Sequence, residues 1–284
     1  MIKNIMLSAF SDEYSPNIDA QLDVLSKNGV KYFEPRFIGE KNISDLTATE
    51  AKELKKKIDG FGIGVSSIGS PLGKIKLSDD FSAHKDRAKR VFETANILGT
   101  KNIRMFSFYL RDGSTRETSF TEVTEKIGEL LELADSFSVT LCHENEGCIY
   151  GESPAQCLQL LTHFGGKLRQ VYDMGNFLLC GHKPYPDSYH SLQPYIEYFH
   201  IKDALSQGAI VPPGRGNTSI PEILKEHSKF TNAPFFVTLE PHLETFSGLN
   251  KLTFATFNNP YKFDSPESAF LTALADIKKI IEEV

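Results

Sequence analysis

The chain has 284 residues, 40% of them apolar, and a formal net charge of −6. Its length and apolar content suffice to fill one large α/β core, while the acidic balance disfavours a broad phosphodiester-binding surface, which relies on clustered Lys and Arg. No stretch approaches the roughly 20 apolar residues of a membrane span, and MIKNIMLSAFSDEY at the N-terminus meets acidic residues too early for a signal peptide.

Strand-like runs alternate along the chain with segments of helical periodicity, the pattern of a parallel sheet with crossover helices. In order, the strand candidates are NIMLSAF from Asn4, KYFEP from Lys31, IGVSSI from Ile63, NIRMFSF from Asn102, SVTLCHE from Ser138, LRQVYD from Leu168, YFHIKD from Tyr198 and FFVTLE from Phe235. Helices are expected over Ser15–Asn28, which ends at Gly29, and over Leu46–Ile58, His84–Leu98, Phe120–Phe137 and Ser265–Ile281. Eight such units predict one (β/α)8 barrel of parallel strands, a single domain over 1–284. Phe246–Asp264 is the longest irregular stretch and reads as a lid, an oligomer contact or a surface excursion. Cys142, Cys148, Cys157 and Cys180 lack CxxC spacing and read as free thiols, consistent with a cytoplasmic protein.

Glu144, Asp173, His200 and Glu240 each stand at the polar end of an apolar run, at spacings of 29, 27 and 40 residues. Those spacings match a repeated β/α unit. In a parallel barrel the C-terminal strand ends form the active-site mouth, so the four side chains are expected to converge there on one divalent cation. A lone acid at a strand end is usually a solvated loop residue or a helix cap; four in one register reverse that reading. His143, next to Glu144, has the opposite strand parity and is expected to face the helix layer. Further candidates for substrate contact at the same face are Glu34, otherwise an ion-pair partner of Arg36, together with Lys202, Asp203 and His242. Arg215, between glycines in PPGRGN, is suited to a phosphate or carboxylate. His182 is a weaker candidate.

The strings LCHENEG, VYDMGNF, YFHIKDA, VPPGRGN and TLEPHL resemble the sugar phosphate isomerase/epimerase superfamily. These are xylose isomerase-like TIM barrels, whose members include ketose 3-epimerases, inosose dehydratases and apurinic endonucleases. The resemblance spans essentially the whole chain. It implies that Glu144, Asp173, His200 and Glu240 bind one Mn²⁺, Zn²⁺ or Mg²⁺ ion. Carboxylate oxygens and one imidazole suit such an ion and leave positions for a substrate carbonyl and hydroxyl. Glu144 and Glu240 are then the acid/base pair that moves an α-proton through a metal-stabilised enediolate. Asn176 stands where several relatives carry a substrate-binding histidine, a departure that bears on the reaction. The expected activity is isomerisation or epimerisation of a sugar or sugar phosphate. The alternative is a lyase or dehydratase acting on an inosose or 3-keto-sugar, with the leaving-group acid drawn from Lys202, His143 or His242. A DNA-repair endonuclease is disfavoured because the first half has only His84 to offer as an extra histidine ligand. A small-molecule sugar is the expected partner, without nucleic acid or membrane, and the resemblance also allows a homo-oligomer.

Overall fold

Apolar residues at alternate positions of each strand run face outward and meet the apolar stripes of the helices, which leaves the other parity to face the barrel interior. The computed structural model describes residues 4–244 and 260–284, so most of the Phe246–Asp264 excursion lies outside the described residues. Nine strands matter for the site: β1 (Ile5–Ala9), β2 (Tyr32–Phe33), β3 (Gly64–Val65), β4 (Ile68–Leu72), β5 (Asn102–Met105), β6 (Thr140–Glu144), β7 (Arg169–Asp173), β8 (Ile196–Ile201) and β9 (Phe235–Leu239). Seven form one parallel sheet in the order β1-β9-β8-β7-β6-β5-β4. The short β2 pairs in parallel with β3. It fills the gap between β1 and β4, for Glu34 N donates to Ala9 O (3.2 Å) on one side while Ser66 N donates to Phe33 O (3.0 Å) on the other. The fold is a TIM barrel.

Most of the expected strands are shorter than the runs that predict them, KYFEP and IGVSSI most clearly. KYFEP contributes only Tyr32–Phe33, since Pro35 lacks the N–H that would continue a ladder. IGVSSI is interrupted after Val65, and the strand resumes over Ile68–Leu72. The expected helices appear as α1 (Ile18–Lys27), α2 (Ala48–Gly60), α3 (Phe81–Leu98) and α4 (Arg116–Phe137), with the C-terminal helix at Pro266–Glu283. Local chemistry sets their ends. Asp80 caps α3 by accepting from Ser82 N and Ala83 N, and Gly99 stops it at φ +82°. Helices at Pro154–His163, Met174–Leu179 and Ile220–Phe230 complete the crossovers. Among the described residues, no helix is long and apolar enough to cross a membrane.

The main core lies between strands and helices. Inside the barrel, Cys142, Val171 and Tyr198 form a separate small cluster with Phe236 packed against it. These residues have the same strand parity as Glu144, Asp173, His200 and Glu240. The barrel floor is therefore apolar and its upper layer polar.

After β4 the chain passes hard against the segment that follows β5. Gly73 has φ +83°, and a Cβ there would collide with the Phe106 carbonyl. Its N–H also donates to His84 Nε2 (2.9 Å). Gly73→Ala is expected to cost ~3 kcal/mol through left-handed strain and overpacking, measured as a lower urea midpoint with an unchanged m-value.

Candidate metal and acid/base site

β6, β7 and β8 carry Glu144, Asp173 and His200 at or next to their C-terminal ends, and Glu240 follows the last residue of β9. His200 lies in register with Asp173 on one side and Thr238 on the other, while Glu240 N donates to Ile201 O (3.0 Å). One ligand atom from each of Glu144, Asp173, His200 and Glu240 can be chosen so that all lie within 4.8 Å of one another, and all four residues are buried. His200 Nδ1 is 2.9 Å from Glu144 Oε1 and 3.3 Å from Glu240 Oε2. Three carboxylates and one imidazole at this spacing are a donor set able to hold one divalent cation.

Three cationic side chains thread this layer. Lys202 Nζ lies 2.9 Å from Asp173 Oδ2, 3.0 Å from Asn176 Oδ1 and 3.3 Å from Glu240 Oε2. Arg104, from the interior face of β5, places Nη1 3.1 Å from Glu144 Oε2 and 3.7 Å from Glu240 Oε1. Arg36 Nη1 meets Glu240 Oε1 at 2.7 Å, while its Nε and Nη2 grip Asp12 (2.8 and 3.0 Å) and Nη2 also reaches Glu13 (3.2 Å). Both guanidinium groups lie over the Phe10 ring, with Cζ at 4.2 Å for Arg36 and 5.1 Å for Arg104. Glu13, Glu240 and His242 form a second close triplet. Arg36 Nη1 already stands in it, 3.5 Å from His242 Nε2.

The sequence of this barrel matches the model of the family described as xylose isomerase-like TIM barrel over residues 22–242. The chain belongs to that family. A search of curated proteins finds no match. Solved structures resemble it in fold. The IolI protein with a bound zinc atom is 17% identical, with TM-score 0.72 and 98% of each chain covered. D-psicose 3-epimerase with D-tagatose from Clostridium cellulolyticum H10 is 14% identical, with TM-score 0.72, 97% of this chain and 99% of that one covered. AsbF of Bacillus anthracis, a probable 3-DHS dehydratase in petrobactin synthesis, is 19% identical, with TM-score 0.68, 82% of this chain and 91% of that one covered.

Not every candidate residue of this xylose isomerase-like barrel joins the cluster. Arg215 is on the surface, where Nη2 pairs with Asp276 Oδ2 of the C-terminal helix at 2.9 Å. That ion pair takes the place of the expected anion contact. Asp203 also turns away from the ligands. It accepts from Ala204 N, Gly214 N, Gly216 N and Thr218 Oγ1 at 2.6–2.9 Å, bonds that staple the PPGRGN loop. Glu34 is wholly buried, accepts from Thr238 and Tyr198, and faces His200 Nε2 at 3.4 Å. Arg36, its neighbour in sequence, turns to Asp12, Glu13 and Glu240. His143 faces Ser107 (2.9 Å). His182 packs edge-on against Phe177. Asn176 and His242 do reach the cluster: Asn176 Nδ2 is 3.5 Å from Glu144 Oε1, and His242 Nε2 is 3.4 Å from Glu240 Oε1.

Asp12, Glu13, Arg104 and Asn145 are parts of the site that strand-end reasoning passes over. Asn145 clamps the backbone of Asp173, accepting from its N–H (3.1 Å) and donating to its C=O (2.8 Å). The available signal was a charged or amide residue inside or directly after an apolar run, as in NIRM and CHEN.

Burial and charge oppose each other at these groups. Burial pushes the Glu144 carboxyl up, but His200 and Arg104 outweigh it and hold it at about 2. Burial drives Asp173 up to about 7, and Lys202 only partly offsets that. The same contact raises Lys202, whose burial is outweighed by Asp173 and Glu240. Lys202 gains from several carboxylates at once, whereas Asp173 is opposed by Glu144 and Glu240. Glu13 is lifted to about 8, by burial foremost, against the pull of Arg36. Between its ordinary value of 4.5 and about 8, folded Glu13 keeps a proton that the unfolded chain has lost. Its contribution to stability is present below that window and lost as pH rises through it. Glu13→Gln is neutral at every pH, so its urea midpoint should gain on wild type as pH rises from about 5 to about 8.5; parallel profiles would place the Glu13 proton elsewhere.

Proposed function

We propose that the chain is a divalent-metal-dependent isomerase or epimerase acting on a small-molecule sugar or sugar phosphate. The supporting observation is that Glu144 and Glu240 both flank His200 Nδ1, at 2.9 and 3.3 Å, within one buried set of possible ligands at the strand ends. Glu144, Asp173, His200 and Glu240 hold the ion, for which Mn²⁺, Zn²⁺ and Mg²⁺ all suit the donors; the zinc of the IolI structure is in keeping with this. When bound, the cation supplies Lewis-acid polarisation of a carbonyl and its neighbouring hydroxyl. Glu144 and Glu240 take the proton from the adjacent carbon and return it. Arg104 stabilises both as carboxylates, and Arg36 fixes the orientation of Glu240 through its 2.7 Å contact. The likeness to D-psicose 3-epimerase agrees with a ketose substrate.

Incubating metal-loaded protein in D₂O with ketoses, their phosphates, inososes and 3-keto-glycosides should place deuterium at an α-carbon, with skeleton and oxygen count unchanged. Glu240→Gln should lower kcat at least about 10³-fold in a protein that still folds, as a cooperative urea transition would show. Full activity in that variant would remove Glu240 from the mechanism.

Elimination from an inosose or 3-keto-sugar is the second reading, and one observation favours it. The Lys202 ammonium is buried beside Asn176 and both Asp173 and Glu240, a proton donor placed among the proposed ligands. The likeness to AsbF is in keeping with it. On this reading Lys202 protonates the departing oxygen, so Lys202→Met should retain α-carbon deuterium exchange and lose release of water or of a glycosidic group by about 10²-fold or more. Equal loss of exchange and release would count against it.

A further inference from the structure

Glu34 is fully buried, and its near neighbour in sequence, Arg36, turns to other carboxylates. Its bonds run instead to the barrel interior. Oε2 accepts from Thr238 Oγ1 at 2.7 Å, and Oε1 accepts from Tyr198 OH at 3.1 Å. Oε1 also faces His200 Nε2 at 3.4 Å, within hydrogen-bond reach. Tyr198 OH and Ser67 Oγ are 2.9 Å apart, so the carboxylate is held by hydroxyls from β8 and β9. Thr238 is the register partner of His200.

The geometry assigns to Glu34 the role of positioning residue for His200, an inference that rests on reading His200 as a metal ligand. A neutral imidazole carries its proton on one nitrogen. As an acceptor facing Nε2, the Glu34 carboxylate selects, once a cation is bound, the ring form with the proton on Nε2 and leaves the Nδ1 lone pair for the cation, on the side of Glu144 and Glu240. Thr238 and Tyr198 donate their hydroxyl protons to Glu34 and keep its Oε1 aimed at the ring. A glutamine at position 34 would be free to present its NH₂ group to Nε2. That would favour the opposite tautomer and put a proton where the cation must bind.

The test combines Zn²⁺ affinity, measured by competition with a chelator, and ¹⁵N-edited long-range NMR of the His200 ring, assigned with His200→Gln. Zinc-loaded wild type should show the proton on Nε2, with Nδ1 coordinated. Glu34→Gln should bind Zn²⁺ about 10- to 100-fold more weakly and lose the slowly exchanging Nε2–H signal. Tyr198→Phe and Thr238→Val should each weaken binding by a smaller factor; they carry the test if Glu34→Gln fails to fold. Affinity within twofold of wild type in all three variants, or a zinc-loaded ring bound through Nε2, would overturn the assignment. Wild type that binds no divalent cation would defeat the metal reading itself; in that event slower exchange of the Nε2–H in metal-free wild type than in Glu34→Gln would show that Glu34 holds the ring, and equal exchange would overturn it.

Discussion

Everything at the mouth of this barrel answers to one constraint, the burial of negative charge. Asp12, Glu13, Glu34, Glu144, Asp173 and Glu240 are all buried in or beside one polar layer, against Arg36, Arg104 and Lys202. Removing a carboxylate from water costs several kcal/mol unless it is paired and hydrogen-bonded, and six carboxylates outnumber three permanent cations. Burial foremost, and the neighbouring carboxylates after it, raise Glu13 and Asp173, while Glu144 and Glu34 raise His200 against the effect of its own burial. The imbalance also suits a site built to receive a divalent cation, whose two charges would offset much of the excess.

The barrel supplies the geometry that this charge needs. Strand residues of one parity face inward, so Cys142 with Glu144, Val171 with Asp173 and Tyr198 with His200 alternate between an apolar floor and a polar upper layer. Close approaches then set the side chains. Gly175 lies so near Lys202 that a Cβ would stand 2.7 Å from that of the lysine, and Gly69 leaves room for the Phe10 ring, where a Cβ would come within 2.5 Å of Cε1. Phe10 supports Arg36 and Arg104 and meets the His200 ring edge-on at 5.0 Å. One aromatic side chain thus packs against both guanidinium groups and the candidate ligand imidazole.

The residues proposed for proton transfer and those that stabilise their charge are different ones. The proposed acid/base pair and the other two ligands come from strand ends, whereas the groups that orient them come from elsewhere. Arg36 follows β2, Asn145 follows Glu144 and secures the Asp173 backbone, and Glu34 lies under His200. Loops carry Asp203 and Arg215, and there the polar groups serve the loop itself: Asp203 is surrounded by three backbone N–H groups and one hydroxyl.

The sequence by itself determined the alternation of strands and helices, and with it the barrel and the strand-end register of Glu144, Asp173, His200 and Glu240. Both depend on local periodicity: a period of two in strands and 3.6 in helices is written in consecutive residues. The break in IGVSSI and the brevity of KYFEP were less legible, because strand length depends on which neighbour offers its hydrogen bonds. Only the tertiary structure decided the partners of the charges. Glu34 and Arg36 are two residues apart, yet one turns to His200, 166 positions away, and the other to Glu240, 204 positions away. Arg215 and Asp203 look in sequence like parts of a binding site and in space are occupied by Asp276 and by the backbone of their own loop. Charge pairing acts over a few ångströms of space at any separation along the chain, so it is settled only when the strands have closed into the barrel.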